Sequence, residues 1–130
     1  MRIAAANVYR YTLPLRNPVR VRDTTLHQRT GFLLELVGED GALGWGEAAP
    51  LPGFGDVSIV ATWNGLLRCA RALAQQPLPD RQDDLEALGL VELLDVRPVA
   101  FAIEAATLTL RAATEHQPIR TFLAPGAPDT

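Results

Sequence analysis

The side chains that carry most enzyme chemistry are scarce in this chain. All 12 basic residues are arginines, so no lysine is present to form a Schiff base, act as a general base or hold phosphate in a P-loop. The single serine, Ser58, lies outside any G-x-S-x-G motif, and His27 and His116 lack the spaced partners of a metal site. The one cysteine, Cys69, allows no internal disulfide and is predicted to be a packing residue. We therefore assign no catalytic residue and no metal ligand to this chain.

Arginine is concentrated at the start of the chain, where it could bind an anion. Residues 1–30 hold six arginines and one acid, Asp23, a local charge of +5, whereas the remaining residues sum to −8. Because a guanidinium group pairs bidentately with carboxylate or phosphate, this segment is a candidate anion site. Arginines that simply face solvent from a strand are the alternative interpretation.

The overall composition narrows the class of protein. With 130 residues, a net charge of −3 and 48% hydrophobic residues, the chain fits one small globular domain rather than a dedicated nucleic-acid binder. It has no apolar run of about 18 residues, so we predict no transmembrane helix. We expect a cytoplasmic protein with no nucleic-acid partner and no membrane partner.

The first residues alternate with the period of a β-strand. Every second residue of the segment 3–15 is predicted to form the buried side of a first strand, which Pro14 and Pro18 should end. Residues 16–29 are polar, rich in arginine and too irregular for a tight hairpin. We interpret them as an extended loop with a functional role.

Two further strands are predicted at residues 32–37 and 43–48, joined by turn residues at 40–41. Gly44 and Gly46 alternate along the last of these strands, which implies that another backbone or a ligand approaches that face.

Residues 50–55, which read P-L-P-G-F-G, are too rich in proline and glycine for a helix or a central strand. The segment is therefore predicted to be a stiff, apolar loop. Phe54 between two glycines suggests contact with a partner or a ligand, and packing onto the chain's own core is the alternative.

Helical periodicity begins after this loop. A first helix is predicted to begin at an N-cap, Asp56 or Ser58, and to reach about residue 76, and a second to cover residues 83–94. A third is predicted to begin near Pro98. Its inner side should carry every third or fourth residue, namely Phe101, Ala105, Leu108 and Ala112. Strands followed by helices indicate an α+β fold.

Residues 44–54, which read G-W-G-E-A-A-P-L-P-G-F, carry a family resemblance. They are similar to the G-W-G-E-x-x-P-L-P-G-F segment of the o-succinylbenzoate synthase family of the enolase superfamily. The likeness extends from Met1 to about Leu110 through M-R at 1–2, V-Y-R at 8–10, V-R-D at 21–23 and R-P-V-A-F-A at 97–102. In one departure, Thr109 stands where the wider superfamily often has aspartate.

The resemblance implies an N-terminal capping domain, a three-stranded antiparallel meander followed by about three helices. It would occupy residues 1–117, with 118–130 as a tail toward a TIM barrel that this sequence lacks. The catalytic lysines and the Mg²⁺ ligands would belong to that barrel, so no cofactor is expected here. Two cap loops, 16–29 and 50–56, would close over the substrate. The expected substrate-binding residues are one arginine for a carboxylate and an apolar group for a ring: Arg22, Leu51, Pro52, Gly53 and Phe54.

The implied reaction is the magnesium-dependent dehydration of a cyclohexadiene dicarboxylate to o-succinylbenzoate in menaquinone biosynthesis. The expected partners are the C-terminal barrel domain, the small dicarboxylate substrate and a second copy of the chain, bound through the exposed barrel-facing surface. Alone, the chain is expected to be inactive. One alternative is the cap of a sister enzyme, such as an N-acylamino acid racemase, a dipeptide epimerase or a cycloisomerase. The other is a free-standing, non-catalytic binding domain.

Overall fold

The computed structural model describes residues 1–53 and 58–126, which form an antiparallel sheet with helices on one face. The strands are β1 (Ile3–Val21), β2 (Thr24–Gly38) and β3 (Leu43–Ala48). Their order in the sheet is β1-β2-β3, so that β2 is central and each strand pairs with its neighbour in sequence. The predicted α+β fold and the predicted meander are confirmed.

The helical elements in the described part of the chain are α1 (Ile59–Leu73), α2 (Gln82–Ala87), a 3-10 helix (Val91–Asp95), α3 (Arg97–Thr114) and α4 (Arg120–Leu123). Ser58 is the N-cap of α1, because its hydroxyl accepts a 3.0 Å hydrogen bond from the amide of Ala61. The other predicted N-cap, Asp56, lies outside the described residues. The prediction of one helix over 83–94 is wrong: Gly89 adopts φ 73°, a left-handed conformation that separates α2 from the 3-10 helix.

The prediction of an irregular loop at residues 16–29 is also wrong. Beyond the pairing of Phe32 with Ala48, β1 and β2 continue as a two-stranded ribbon (residues 12–30) that turns tightly at residues 22–23. Pro14 and Pro18 do not end β1, because it is an edge strand and needs amide donors toward one neighbour only. The strands change register between Pro14 and Val19, which accommodates the second proline.

The buried face of β1 is the opposite of the predicted one. A register shift lies between Ile3 and Ala5, and a slip of one residue moves every later side chain to the other face of a strand. Ile3 is therefore buried, whereas Tyr9 and Leu13, at later odd positions, are 47% and 57% exposed. They lie on the outer face of the sheet, away from the helices.

The core fills the space between the inner face of the sheet and the two long helices. Alternate residues of β2 are fully buried there, together with side chains of α1 and α3. The largest of these are Phe32, Leu34, Leu36, Leu66, Leu73, Ile103 and Leu110. Cys69 is buried among them, which confirms it as a packing residue.

Helix α3 lies directly on β3, and glycine makes the close approach possible. A Cβ atom at Gly44 would collide with the carbonyl oxygen of Ala106, and one at Gly46 with that of Ala102. The predicted approach of another backbone to this face is thus confirmed. The same packing corrects the predicted inner side of α3: Ala102 is buried and Phe101 is 63% exposed, because only small side chains fit against the two glycines.

Thr109 protects the free edge of β3. Its hydroxyl accepts a 2.8 Å hydrogen bond from the amide of Trp45 and donates one of 2.8 Å to the carbonyl of Ala105. An edge-strand amide that β2 cannot reach is therefore satisfied by a side chain of α3. Thr109, the residue that departs from the wider superfamily pattern, thus supplies the acceptor at this position.

Candidate functional site

The two segments predicted to bind substrate meet at one end of the sheet. This hairpin end comprises the ribbon turn (residues 21–24) and the segment that follows β3 (residues 49–53). An ideal Cβ on Gly53 would stand 3.0 Å from Thr24 Oγ1 and 3.0 Å from the carbonyl oxygen of Val21. Gly53 itself adopts φ 81°, so both its conformation and its surroundings favour glycine.

The predicted site residues are distributed over this end as follows. Arg22 lies in the turn with φ 53°, and its carbonyl accepts a 3.0 Å hydrogen bond from Nε of Arg20. Leu51 and Pro52 are half-buried, and Gly53 is exposed beside the turn. Phe54 lies outside the described residues. The structure therefore brings Gly53 to the residues that flank Arg22.

Tyr11 and Glu47 form a bridge across the outer face of the sheet that sequence reasoning missed. The Tyr11 hydroxyl donates a 2.7 Å hydrogen bond to Oε2 of Glu47. The tyrosine reaches from β1 to β3 over Gly31 of β2, where a Cβ would collide with the Tyr11 ring. Partial burial and the bond to Glu47 raise the pKa of Tyr11 to about 12. The signal for this bridge was Gly31, since a glycine inside a strand often marks a close approach.

Arg29 is a third residue that sequence reasoning did not single out, because nothing in its spacing separates it from the other early arginines. It lies in β2, and its Nη2 donates a 3.3 Å hydrogen bond to the carbonyl oxygen of Ala49. Its Nε is buried and has no hydrogen-bond partner among residues 1–53 and 58–126. Arg29 thus joins the ribbon to the segment that leaves β3.

Metal-ligating side chains and the single thiol are two further features of the described residues that could do chemistry. Within residues 1–53 and 58–126, no three His, Cys, Asp or Glu side chains are grouped closely enough to hold a metal ion. Burial raises the pKa of the Cys69 thiol to about 12, which leaves it protonated and unreactive. Over the same residues, we find no helix whose length and apolarity would let it cross a lipid bilayer.

Solved structures define the class to which this fold belongs. A member of the enolase superfamily from Roseovarius nubinhibens superposes on 97% of the chain with a TM-score of 0.75 and 20% identity, over 34% of its own length. A dipeptide epimerase from Cytophaga hutchinsonii superposes on 100% of the chain with a TM-score of 0.79 and 19% identity, over 35% of its length. The fold is thus shared with enolase-superfamily proteins.

Sequence comparison identifies the family within that class. The family model described as "MenC, N-terminal domain" matches residues 3–110. The o-succinylbenzoate synthase of Edwardsiella ictaluri is 36% identical over 109 residues, which are 79% of this chain and 33% of that protein. The chain belongs to the MenC N-terminal domain family. It spans about a third of the length of the curated relative that it matches.

Proposed function

We propose that this chain is the substrate-capping domain of an o-succinylbenzoate synthase. In this role, the ribbon turn and residues 49–53 form a lid over a small dicarboxylate held in a barrel domain. The observation that carries the proposal is the contact of Gly53 with Val21 and Thr24, because it places both segments at one end of the sheet. The family match and the identity to an o-succinylbenzoate synthase favour this enzyme over its sisters.

Each part of the hairpin end has a task in this proposal. Arg22 offers a guanidinium that can bind a carboxylate by charge-assisted hydrogen bonds, which typically contribute about 1.5–3 kcal/mol. Leu51 and Pro52 offer apolar surface to cover a ring, and Phe54 is proposed to extend it. Together they would exclude water and hold the substrate while the barrel carries out the proton abstraction.

In this proposal, a barrel domain would supply the proton transfer and the metal site. Proton transfer needs a base, and enolate stabilisation needs a metal such as Mg²⁺, for which the described residues offer no grouping of ligands. We therefore assign no proton transfer to this chain and expect the isolated chain to be inactive. Turnover of the cyclohexadiene dicarboxylate by the purified chain with Mg²⁺, after removal of host enzyme, would contradict this.

A docking surface for the barrel is proposed at the same end of the molecule. Val60 in the first turn of α1 is 67% exposed, and Phe101 near the start of α3 is 63% exposed. Contiguous apolar patches of more than a few hundred Å² mark interaction sites, and we propose that Val60 and Phe101 belong to one such patch. We expect the isolated chain to self-associate or bind a hydrophobic dye, and Phe101→Ser to reduce both. Sedimentation as a monomer at high concentration without dye binding would contradict this.

The substrate class is tested by joining the chain to two barrels. In one chimera, it replaces the matching third of the Edwardsiella ictaluri o-succinylbenzoate synthase, and in the other, that of the Cytophaga hutchinsonii dipeptide epimerase. Each enzyme with its own cap is the positive control. We expect dehydration activity in the first chimera and no epimerase activity in the second. Activity in the second chimera alone would favour a sister enzyme.

The role of Arg22 is tested in the active chimera. Arg22→Met keeps much of the side-chain length and removes the charge, so kcat/KM should fall by about ten- to a hundredfold with little change in stability. Arg16→Met, at another exposed arginine of the ribbon, is the matched control and should leave kcat/KM nearly unchanged. Unaltered kinetics in Arg22→Met would leave the arginine with a surface role only.

A further inference from the structure

Arg29 joins two parts of the hairpin end that are distant in sequence. It lies in β2 opposite Leu13 of β1, within the ribbon. The 3.3 Å hydrogen bond from its Nη2 reaches the carbonyl of Ala49, the first residue after β3. From Ala49 the chain leaves the sheet and returns to the ribbon at Gly53. One guanidinium group therefore holds the segment at the point where it departs.

The Arg29 side chain is half-buried, and part of its guanidinium is shielded from solvent. Nε of Arg29 is buried without a partner among the residues described, and leaving such a donor unpaired has a free-energy cost. An arginine that extended into water would avoid this cost. The side chain is therefore confined by its surroundings, with its terminal nitrogen directed at Ala49.

The Tyr11–Glu47 bridge holds the end of β3, just before this segment, and lies on the same outer face of the sheet as Arg29. Glu47 precedes Ala48, the last residue of β3, and the 2.7 Å bond from Tyr11 ties it to β1 across Gly31. Arg29 lies two residues before Gly31 in β2 and therefore on the same face, and Gly31 pairs with Tyr11. At this position the positive charge of Arg29 opposes the effect of Glu47 on the pKa of Tyr11. The end of β3 is thus connected to the ribbon both before and after Ala48.

We propose that Arg29 is a positioning residue that holds residues 49–53 against the ribbon, so that both segments form one preformed lid. The lid itself rests on the proposed function, whereas the link between the segments does not. If residues 49–53 are already held in place, they need not be ordered when the substrate binds. The apparent affinity for the substrate is then not reduced by chains in which this segment is out of position. Loss of Arg29 should therefore act on substrate binding more than on turnover.

The link is tested by NMR spectroscopy on the 130-residue chain. The readouts are the nuclear Overhauser effect between Gly53 and Thr24 and the backbone order parameter of Gly53. In Arg29→Met we expect the first to be lost and the second to fall to below about 0.6, the range of flexible backbone. Arg29→Lys, which keeps a cationic donor, should retain the contact. Arg10→Met, at an exposed arginine of β1, is the matched control and should match the wild type.

Two outcomes of this test are decisive. Loss of the Gly53–Thr24 contact in Arg29→Met, with unchanged spectra for β2 and β3, supports the proposal. A retained contact in a folded Arg29→Met variant overturns it. If Arg29→Met does not fold, Arg29→Gln serves the same test, because its amide is too short to reach Ala49 as the guanidinium does.

A kinetic measurement separates this inference from the proposed function. In the active chimera we expect Arg29→Met to raise KM about tenfold and to change kcat less than about twofold, with Arg29→Lys restoring most of the KM. A purely structural role would lower stability without this separation of KM from kcat. If the contact is lost in the chain but KM is unchanged, the lid function is refuted while the link between the segments stands.

Discussion

A methyl group at Gly46 is expected to force β3 and α3 apart. An ideal Cβ there would lie 2.7 Å from the carbonyl carbon of Ala102 and 2.9 Å from its Cα. Non-bonded carbon atoms normally stay about 3.5–4.0 Å apart, so the two elements would have to separate by about 1 Å. The obstacle is the backbone of an 18-residue helix, which cannot rotate away as a side chain could.

This separation should be expensive because it opens the core. A gap of about 0.5–1 Å removes about a quarter to a half of the dispersion attraction between facing atoms. Overpacked cores typically lose about 1–3 kcal/mol. Since the collision is with backbone and α3 also carries the buried Ile103 and Leu110, we expect Gly46→Ala to lower the free energy of unfolding by about 3 kcal/mol.

Urea unfolding followed by tryptophan fluorescence and circular dichroism measures this loss. Gly41→Ala is the control, because Gly41 has φ 84° and nothing lies within 4 Å of an added Cβ. It therefore adds only the cost of a left-handed alanine, about 1–2 kcal/mol, without a collision. The reasoning fails if Gly46→Ala is no more destabilising than Gly41→Ala, since β3 and α3 would then not be in backbone contact.

Three further predictions concern single groups. The free energy of unfolding should fall as the pH rises from about 10 to about 12, because the pKa of Tyr11 is higher in the folded than in the unfolded chain. Urea titrations repeated across this pH range should show a smaller fall in Tyr11→Phe. Cys69 should react with a disulfide reagent at pH 8 about a hundredfold more slowly in the folded chain than in guanidinium chloride, and equal rates would contradict its burial. Thr109→Val should lower the free energy of unfolding by about 1–3 kcal/mol because the amide of Trp45 loses its acceptor. Thr107→Val, whose hydroxyl donates to carbonyls within α3, should lower it less in the same denaturation assay.

The family and the order of elements could be predicted from local features of the chain. Alternation at residues 32–37 and 43–48 with a turn between them indicated two paired strands, because side chains of a strand alternate between faces. Gly44 and Gly46 indicated the close approach of another backbone or a ligand, since small residues leave that space open. The motif at residues 44–54 indicated the family before any contact was known.

Alternation alone could not determine which side of β1 is buried. The register shift between Ile3 and Ala5 exchanges the two faces, and only pairing with β2 reveals it. The ribbon was missed for a related reason. Pro14 and Pro18 are compatible with a strand only when that strand lies at the edge of a sheet, and the position within a sheet is a property of the tertiary structure.

By itself, the sequence determined the α+β class, the strand order and the absence of lysine chemistry, because these follow from local periodicity and from composition. The tertiary structure alone decided which residues meet at the hairpin end. Tyr11, Glu47 and Arg29 come from three different strands, and Ala49 and Gly53 from the segment after the third. Their contacts depend on strand register and on the space above Gly31, and neither is encoded in the spacing of residues along one strand.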